Sequence, residues 1–432
     1  MPFAIPSPNI ASPTTSPIMG PGITKSSICA HFFNDYLGDV KCIIESCVEL
    51  IMCVYILKSN EKWIGRVITC IDLNAFYPSC EELRDPSLKG KAHAVIMTDE
   101  RTGEIMKGAV SSCSYEARRY GISSAMSLSK AKSLCPDLIL HPVDIPYYRG
   151  ISDQVMNAIH GYADTLEQAS IDEAFLDCTT KIQSESPEAY AAKIKNTIKE
   201  KCGGLSCSIG VASTKSAVKI ASDFEKPDGL TVVYPTELKK FLEPLDVGTV
   251  AGIGPKTQKA LKEIGIDTLG QLAKADVQKL KERFGKNGYW MWKVANGTDD
   301  EIVAPRTDNV SLSTENTLDT YTRDKEKIHG HLDELVDDIY QRVKDHRYLF
   351  RTVGIKLVRT NFSVETRVTT FDEFRNDSES ISSAIGKLLD KFELSENRPP
   401  VRKVGLLVTH LVREEIVQRK KNAQRSLLDY YH

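Results

Sequence analysis

The sequence predicts an α+β fold divided among several domains, and three observations carry that expectation. Strand-like and helix-like stretches alternate between residues 67 and 233, without the regular period of a βαβ array. Residues 234 to about 300 read as helical throughout, and residues 311 to 412 alternate again. The 432 residues leave room for about two to four domains. A hydrophobic fraction of 41% and a charged fraction of 26% are those of an ordinary soluble globular chain.

Composition also excludes some roles. A net charge of -2 argues against wholesale coating of nucleic acid but allows a local basic patch. The eleven cysteines all lie at or before Cys207, with no CxxC pair and no zinc-ligand spacing. They read as reduced, core-filling thiols of a cytoplasmic protein. The most apolar stretch, Cys42 to Leu57, is broken by Glu45 and Glu49, so no membrane span is expected. The start of the chain lacks the basic-then-apolar pattern of a secretory signal.

Taken in order, residues 1 to 28 are rich in Pro, Ser and Thr and are expected to be disordered. Residues 29 to 66 carry no motif. Residues 1 to 66 thus read as an appendage, as a translation start placed upstream of Val67, or as a partner-binding arm. Arg66 to Tyr77 reads as a buried strand with Asp72 near its end, followed by a short helix from Pro78 to Arg84. A strand-end Asp is a natural place for a metal-binding carboxylate, though also a common turn residue. Short strands are expected at Ala94 to Met97 and Ala109 to Cys113. The second runs into a helical turn, Ser114 to Gly121, that displays Tyr115, Arg118 and Arg119. Arginine pairs bidentately with phosphate, so this turn is a candidate anion grip; it reads equally as a solvated basic face.

Helices near 126 to 135 and 147 to 164 flank a strand at Leu138 to Leu140. Then comes Ala169-Ser170-Ile171-Asp172-Glu173-Ala174-Phe175-Leu176-Asp177, two adjacent acids in an apolar run from Leu166. Neighbouring side chains on a regular strand face opposite ways. The pair can serve one site only at a strand start or an irregularity; otherwise it is a hairpin turn with solvated acids. A helix from Pro187 to Lys201, a strand from Leu205 to Val211, a helix from Lys215 to Ser222 and a strand at Thr231 to Val233 complete a sheet expected to carry its helices on one face.

In the helical block, Gly252-Ile253-Gly254-Pro255-Lys256 joins two helices. Paired glycines there let a phosphate backbone approach exposed amides at a helix start, with Lys256 adding charge. A tight helix–helix turn is the plainer alternative. Residues 301 to 310 read as a linker. From 311 to 412 the order suits two helices, Lys325 to Arg347 and Ser378 to Lys391, against four strands. Arg342, Lys344, Arg347, Arg351, Lys356 and Arg359 cluster against a single acid, Asp345, as on a nucleic-acid-binding face or a merely solvated one. The polar tail ends in Gln424-Arg425-Ser426-Leu427-Leu428-Asp429-Tyr430-Tyr431, apolar anchors that suit a partner's pocket.

Together these motifs resemble the Y-family DNA polymerases, the translesion enzymes, and among them the polymerase IV type of archaea and bacteria. The likeness covers Val67 to about His410 and rests on four motifs in the family's order. They are Ile71-Asp72 through Phe76-Tyr77, Ser114 to Arg118, Ala169 to Ala174, and Lys226-Pro227-Asp228-Gly229. The resemblance implies a right-hand architecture: palm (67–77 and 144–233), fingers (78–143), helical thumb with a helix-hairpin-helix (234–300), linker (301–310), α/β little finger (311–412) and tail (413–432).

It also implies roles. Asp72, Asp172 and Glu173, with the Leu73 carbonyl, match the ligands of two Mg²⁺ ions that activate a primer 3′-hydroxyl and neutralise pyrophosphate. Ser112, Tyr115, Arg118 and Lys226 match the residues that hold the dNTP triphosphate. Tyr77 matches the steric gate against a ribose 2′-hydroxyl. Gly252, Gly254, Lys256, Arg351, Lys356 and Arg359 are the implied contacts to primer-template DNA. Gln424, Leu427, Tyr430 and Tyr431 look like the box that docks on the sliding clamp, PCNA. A monomer without proofreading exonuclease is the family's pattern.

The sequence departs from that pattern in three places. Asn74 stands where many members carry a second Asp, Ala75 where some carry a bulky aromatic, and Glu225 where Ala is frequent. A palm-fold nucleotidyl cyclase would also use paired acids and Mg²⁺, but gives no role to the hairpin, the basic final domain or the tail. An inactive clamp-bound scaffold gives no role to the acids and the triphosphate grip.

Overall fold

In the computed structural model, which describes residues 63–97, 108–182, 185–305 and 310–419, a five-stranded sheet forms the centre of the first of two compact units. Its strands are β1 (Ile68–Leu73), β5 (Thr165–Gln168), β6 (Glu173–Asp177), β7 (Cys207–Ala212) and β8 (Leu230–Val232), in the order β5-β6-β1-β7-β8. Strand β1 pairs antiparallel with both β6 and β7.

Alternation along β1 divides its side chains between two faces. Ile68 and Cys70, with Phe175, pack against helix α6 (Lys215–Phe224) through Ala217, Val218 and Ala221. Ile71 and Leu73, with Ala174 and Leu176, pack against α4 (Ile145–Ile159) and α5 (Pro187–Lys201) through Tyr148, Val155, Ile159, Ile194 and Ile198. The expectation of helices on one face is therefore corrected. Every position of β7 is buried, and a strand buried on both faces needs a layer on each.

The helix ends follow from sequence. Asp144, Ser186 and Thr214 cap α4, α5 and α6, each accepting from a backbone amide three residues on, with Pro in the first turn of α4 and α5. Gly210 of β7 lets α6 lie close. A Cβ there would stand 2.3 Å from the Val218 carbonyl oxygen and 2.4 Å from the Ser222 nitrogen.

Residues 76–97 and 108–142 form a smaller layer. Here β2 (His93–Ile96) pairs with β3 (Val110–Cys113) and β4 (Ile139–Pro142), beside α1 (Phe76–Arg84), α2 (Tyr115–Arg119) and α3 (Leu128–Leu134). Five short helices follow: α7 (Leu238–Leu242), α8 (Pro255–Lys262), α9 (Leu269–Lys274), α10 (Val277–Phe284) and α11 (Lys286–Ala295). They close around Leu242, Val250, Leu261, Leu269, Leu272 and Met291. Residues 301–305 are anchored. Val303 is 7% exposed, the Ala304 amide donates to Glu167, and Lys215 bridges Glu167 to Glu301.

The second unit is an antiparallel sheet, β11-β10-β12-β9, of β9 (Ser311–Thr322), β10 (Tyr348–Arg359), β11 (Val364–Arg375) and β12 (Val401–Thr409). A short β13 (Val412–Arg413) pairs with the start of β10. Three helical segments cover one face: α12 (Lys325–Asp333), α13 (Val336–Asp345) and α14 (Ser378–Leu389). The single helix expected from Lys325 to Arg347 is thus divided. At the break the Leu335 amide donates to the Leu332 carbonyl, a tighter i−3 bond, as Leu332, Leu335, Val336 and Ile339 all turn into the core. Among the described residues no helix is long and apolar enough to cross a membrane, and seven cysteines are free and buried.

Candidate active site

The site is built where β1 ends. Asp72, next to last on β1, lies directly across from Glu173, the first residue of β6. Just before Glu173 the chain makes a tight turn. The Ala169 and Ser170 amides both donate to the Glu173 carbonyl, at 2.9 and 3.2 Å. The Ser170 hydroxyl donates to Asp172 Oδ1 at 2.5 Å, and the Leu73 amide donates to the Asp172 carbonyl at 2.9 Å. Each reading holds for one acid: Glu173 opens β6, and Asp172 lies in the hairpin turn before it.

A cavity of about 400 Å³ opens beside this turn. Its walls include Asp72, Leu73, Tyr77, Ser112, Tyr115, Arg118, Asp172 and Lys226, so nearly the whole set singled out in the sequence faces one space. Ser112 comes from β3. Tyr115 and Arg118 come from the first turns of α2, capped by Ser114, and the Arg118 guanidinium lies 4.6 Å from the Tyr115 ring centroid. Burial is the main reason the Tyr115 hydroxyl is pushed above its ordinary range. Tyr77 stacks on the fully buried Tyr148, ring centroids 4.5 Å apart, and Tyr148 donates to Glu81 at 2.7 Å. Burial, and then the Asp172 charge, push the Tyr77 hydroxyl upward.

Glu173 is the exception. It turns along the α6 face of the sheet, and its Oε2 meets Lys219 Nζ at 3.0 Å. Lys219 also reaches Asp72 Oδ2 at 2.7 Å and Asp223 at 3.4 Å. Lys226 shares the same Asp72 oxygen at 2.7 Å and holds Asp223 at 2.6 Å. Burial works against the charge on both lysines, but the Asp72 carboxylate leads the attractions that outweigh it at Lys219, and Asp223 those at Lys226. Both ammoniums are held above the ordinary lysine range.

The expected convergence of Asp72, Asp172 and Glu173 on one small space is therefore incomplete. No group of three or more His, Cys, Asp or Glu side chains able to hold an ion is assembled among the described residues. The donor chemistry nonetheless fits a hard cation, since carboxylates stand on the cavity wall and no His or Cys lines it.

Lys219 was missed in the sequence, although a lysine on the buried side of α6, four residues after Lys215, was a visible signal. Asn74 was seen only as a departure. It is 3% exposed and bonds to β7 and the residue before it: its Nδ2 donates to Ser206 Oγ at 3.1 Å, and its Oδ1 accepts from Ser208 Oγ at 2.9 Å. Ser208 in turn accepts from the Gly229 amide at 3.4 Å, in the loop after Lys226. Ala75 adopts φ 43°, ψ 52°, a left-handed turn that starts α1 and brings Tyr77 to the wall.

The remaining candidates lie elsewhere. Gly252 (φ 103°) and Gly254 form an exposed turn, Gly254 is the N-cap of α8, and Lys256 is exposed in its first turn. In the second unit the basic cluster read from the sequence is not one surface. Val353, Ile355 and Leu357 face the helices, and by the same alternation so does Arg359. Arg359 is 1% exposed; it donates to Glu365 at 2.9 and 3.0 Å and to the carbonyls of Pro399 and Glu393 at 3.1 and 2.8 Å. Its expected place on an exposed binding face is corrected. Lys356 points the other way, onto the face the helices leave open, and pairs with Glu315 at 2.5 Å. Arg351 is exposed and donates to the Phe371 carbonyl at 2.8 Å. Gln424, Leu427, Tyr430 and Tyr431 lie outside the described residues.

Comparison with known proteins gives consistent results. Residues 71–223 match the impB/mucB/samB family, residues 309–426 its C-terminal domain, and residues 235–266 the IMS family HHH motif. DNA polymerase IV of Methanoculleus marisnigri is 41% identical over 347 residues, covering 80% of this chain and 95% of that one. DNA polymerase IV of Halobacterium salinarum is 36% identical over 360 residues, covering 81% and 86%. Among solved structures, a Y-family DNA polymerase chimera superposes with a TM-score of 0.72 at 29% identity, covering 81% of this chain and all (100%) of that one. The insertion ternary complex of Dbh DNA polymerase gives 0.57 at 28%, with the same coverage. The chain belongs to the Y-family DNA polymerases of the DNA polymerase IV type.

Proposed function

We propose that this Y-family polymerase adds deoxynucleotides to a primer 3′-hydroxyl at the cavity between the ends of β1 and β6, copying past damaged template bases with low fidelity. The observation that carries the reading is the shared wall: Asp72, Asp172, Tyr115, Arg118 and Lys226 all line one cavity. Anionic groups that attract a divalent cation thus share one space with cationic and hydroxyl groups that fit a triphosphate.

Asp72, Asp172 and Glu173, with the Leu73 carbonyl, would hold two Mg²⁺ ions, which when bound supply the charge that activates the 3′-hydroxyl and stabilises the departing pyrophosphate. Tyr115, Arg118 and Lys226 bind and orient the triphosphate, and Ser112 assists. Tyr77, braced on Tyr148, closes the space that a 2′-hydroxyl would need. Primer-template DNA lies against the Gly252–Lys256 hairpin and the open face of the second sheet, around Lys356 and Arg351. In this reading residues 67–77 and 144–233 act as palm, 78–143 as fingers, 234–300 as thumb and 311–412 as little finger.

Primer extension with dNTPs and Mg²⁺ tests the reading. Wild-type protein extends a primed template and Asp172→Ala does not; equal extension by the two would sink it. The tail carries the clamp contact. Deleting residues 424–432 is expected to abolish stimulation by PCNA and to spare clamp-free extension; stimulation that survives the deletion overturns that assignment.

A further inference from the structure

Lys219 stands apart from the other basic residues near the cavity. Lys226, whose side chain is 27% exposed, is part of the cavity wall, where a triphosphate can take it from Asp72. Lys219 is 16% exposed, is not part of that wall, and sits behind it between two strands. It meets Asp72 Oδ2 of β1 at 2.7 Å and Glu173 Oε2 of β6 at 3.0 Å. Those carboxylates belong to directly opposed residues. Like charges so placed repel, and each would be costly to leave half-buried and unpaired.

The lysine is held where it is. Gly210 lets α6 lie against β7 at a separation no side chain would allow. The Thr214 hydroxyl caps the helix, and Ser222 Oγ donates to the Lys219 carbonyl at 2.8 Å. Helix, glycine and cap together deliver one ammonium to the point where the two acids meet.

We propose that Lys219 is a positioning residue of the polymerase reaction, tying Asp72 to Glu173 so that the two carboxylates present themselves as one unit. This rests on the polymerase reading above. Lys219 is not part of the cavity wall and acts through the two carboxylates. Its role is that of a partner behind a metal ligand, whose loss lowers metal affinity or activity by about ten- to a hundredfold. Lys226, in contrast, acts on nucleotide binding.

Full-length wild type, Lys219→Met, Lys219→Arg and Lys226→Met are compared by steady-state extension and by Mn²⁺ binding, read by electron paramagnetic resonance without DNA or nucleotide. For Lys219→Met we expect kcat and Mn²⁺ affinity to fall about ten- to a hundredfold, with KM for dNTP within about twofold. Arg is expected to restore part of both, since a guanidinium can bridge two carboxylates. Lys226→Met is expected to raise KM instead. Unchanged or tighter Mn²⁺ binding by Lys219→Met overturns the proposal, as does a loss confined to KM. If Lys219→Met does not fold, Lys219→Gln replaces it: a larger fall in kcat and Mn²⁺ affinity for Gln than for Arg supports the role, and equal values for the two overturn it. Failure of the wild type to extend primers would instead reject the polymerase reading itself.

Discussion

Asp72 and Arg359 both sit at the end of a largely buried strand, one in each unit, and their surroundings differ in kind. Asp72 is met by two ammoniums on a single oxygen, one of them part of a cavity wall. Arg359 is enclosed: Glu365 takes two of its N–H groups, and the carbonyls of Pro399 and Glu393 take two more. Burial of a charge is therefore a poor guide to its use. Asp72, the working charge of the proposed function, has open space beside it and a partner on the cavity wall, whereas Arg359 has its donors committed within the fold.

Substitution at Arg359 is the strongest way to break that contrast. Arg359→Met removes one side of a buried pair and is expected to destabilise the protein by about 3 kcal/mol, read by denaturant unfolding. A loss below about 1 kcal/mol, the range of surface pairs, would mean that the enclosure contributes little.

A smaller effect is expected at the cavity. Tyr77→Ala should leave stability to Tyr148 and its neighbours and should raise ribonucleotide incorporation about ten- to a hundredfold, measured as the ratio of kcat/KM for dNTP over rNTP. An unchanged ratio would remove Tyr77 from the gate.

The smallest effect is expected on the open face of the second sheet. Lys356→Met should change stability by no more than about 0.5 kcal/mol and reduce the salt dependence of DNA binding by about one unit of slope. The reverse pattern, with Arg359→Met altering the slope and Lys356→Met the stability, would overturn the placement of both.

These cases show what was legible in the sequence. Element types and order were readable because apolar periodicity and capping residues mark them locally, as in α5, where Ser186 and Pro187 set the start. Most of the cavity was readable because its residues fall in compact motifs. Arg359 was misread by counting neighbours along the chain, although Val353, Ile355 and Leu357 already gave the alternation that carries it inward. The two-sided cover of β1 and the turn of Glu173 toward α6 depend on contacts made far along the chain. Lys219 lies 147 residues from Asp72, and no local pattern joins them.

Gly210 carries that last point further. It lies on the strand behind the acids, makes no bond to them, and sets how near α6 can come. For protein engineering it is a spacer without tolerance: even a methyl group would shift the helix, and Lys219 with it. The spacing between α6 and the sheet is thus fixed by a residue outside the cavity, and a design that keeps the Lys219 contacts must keep this glycine.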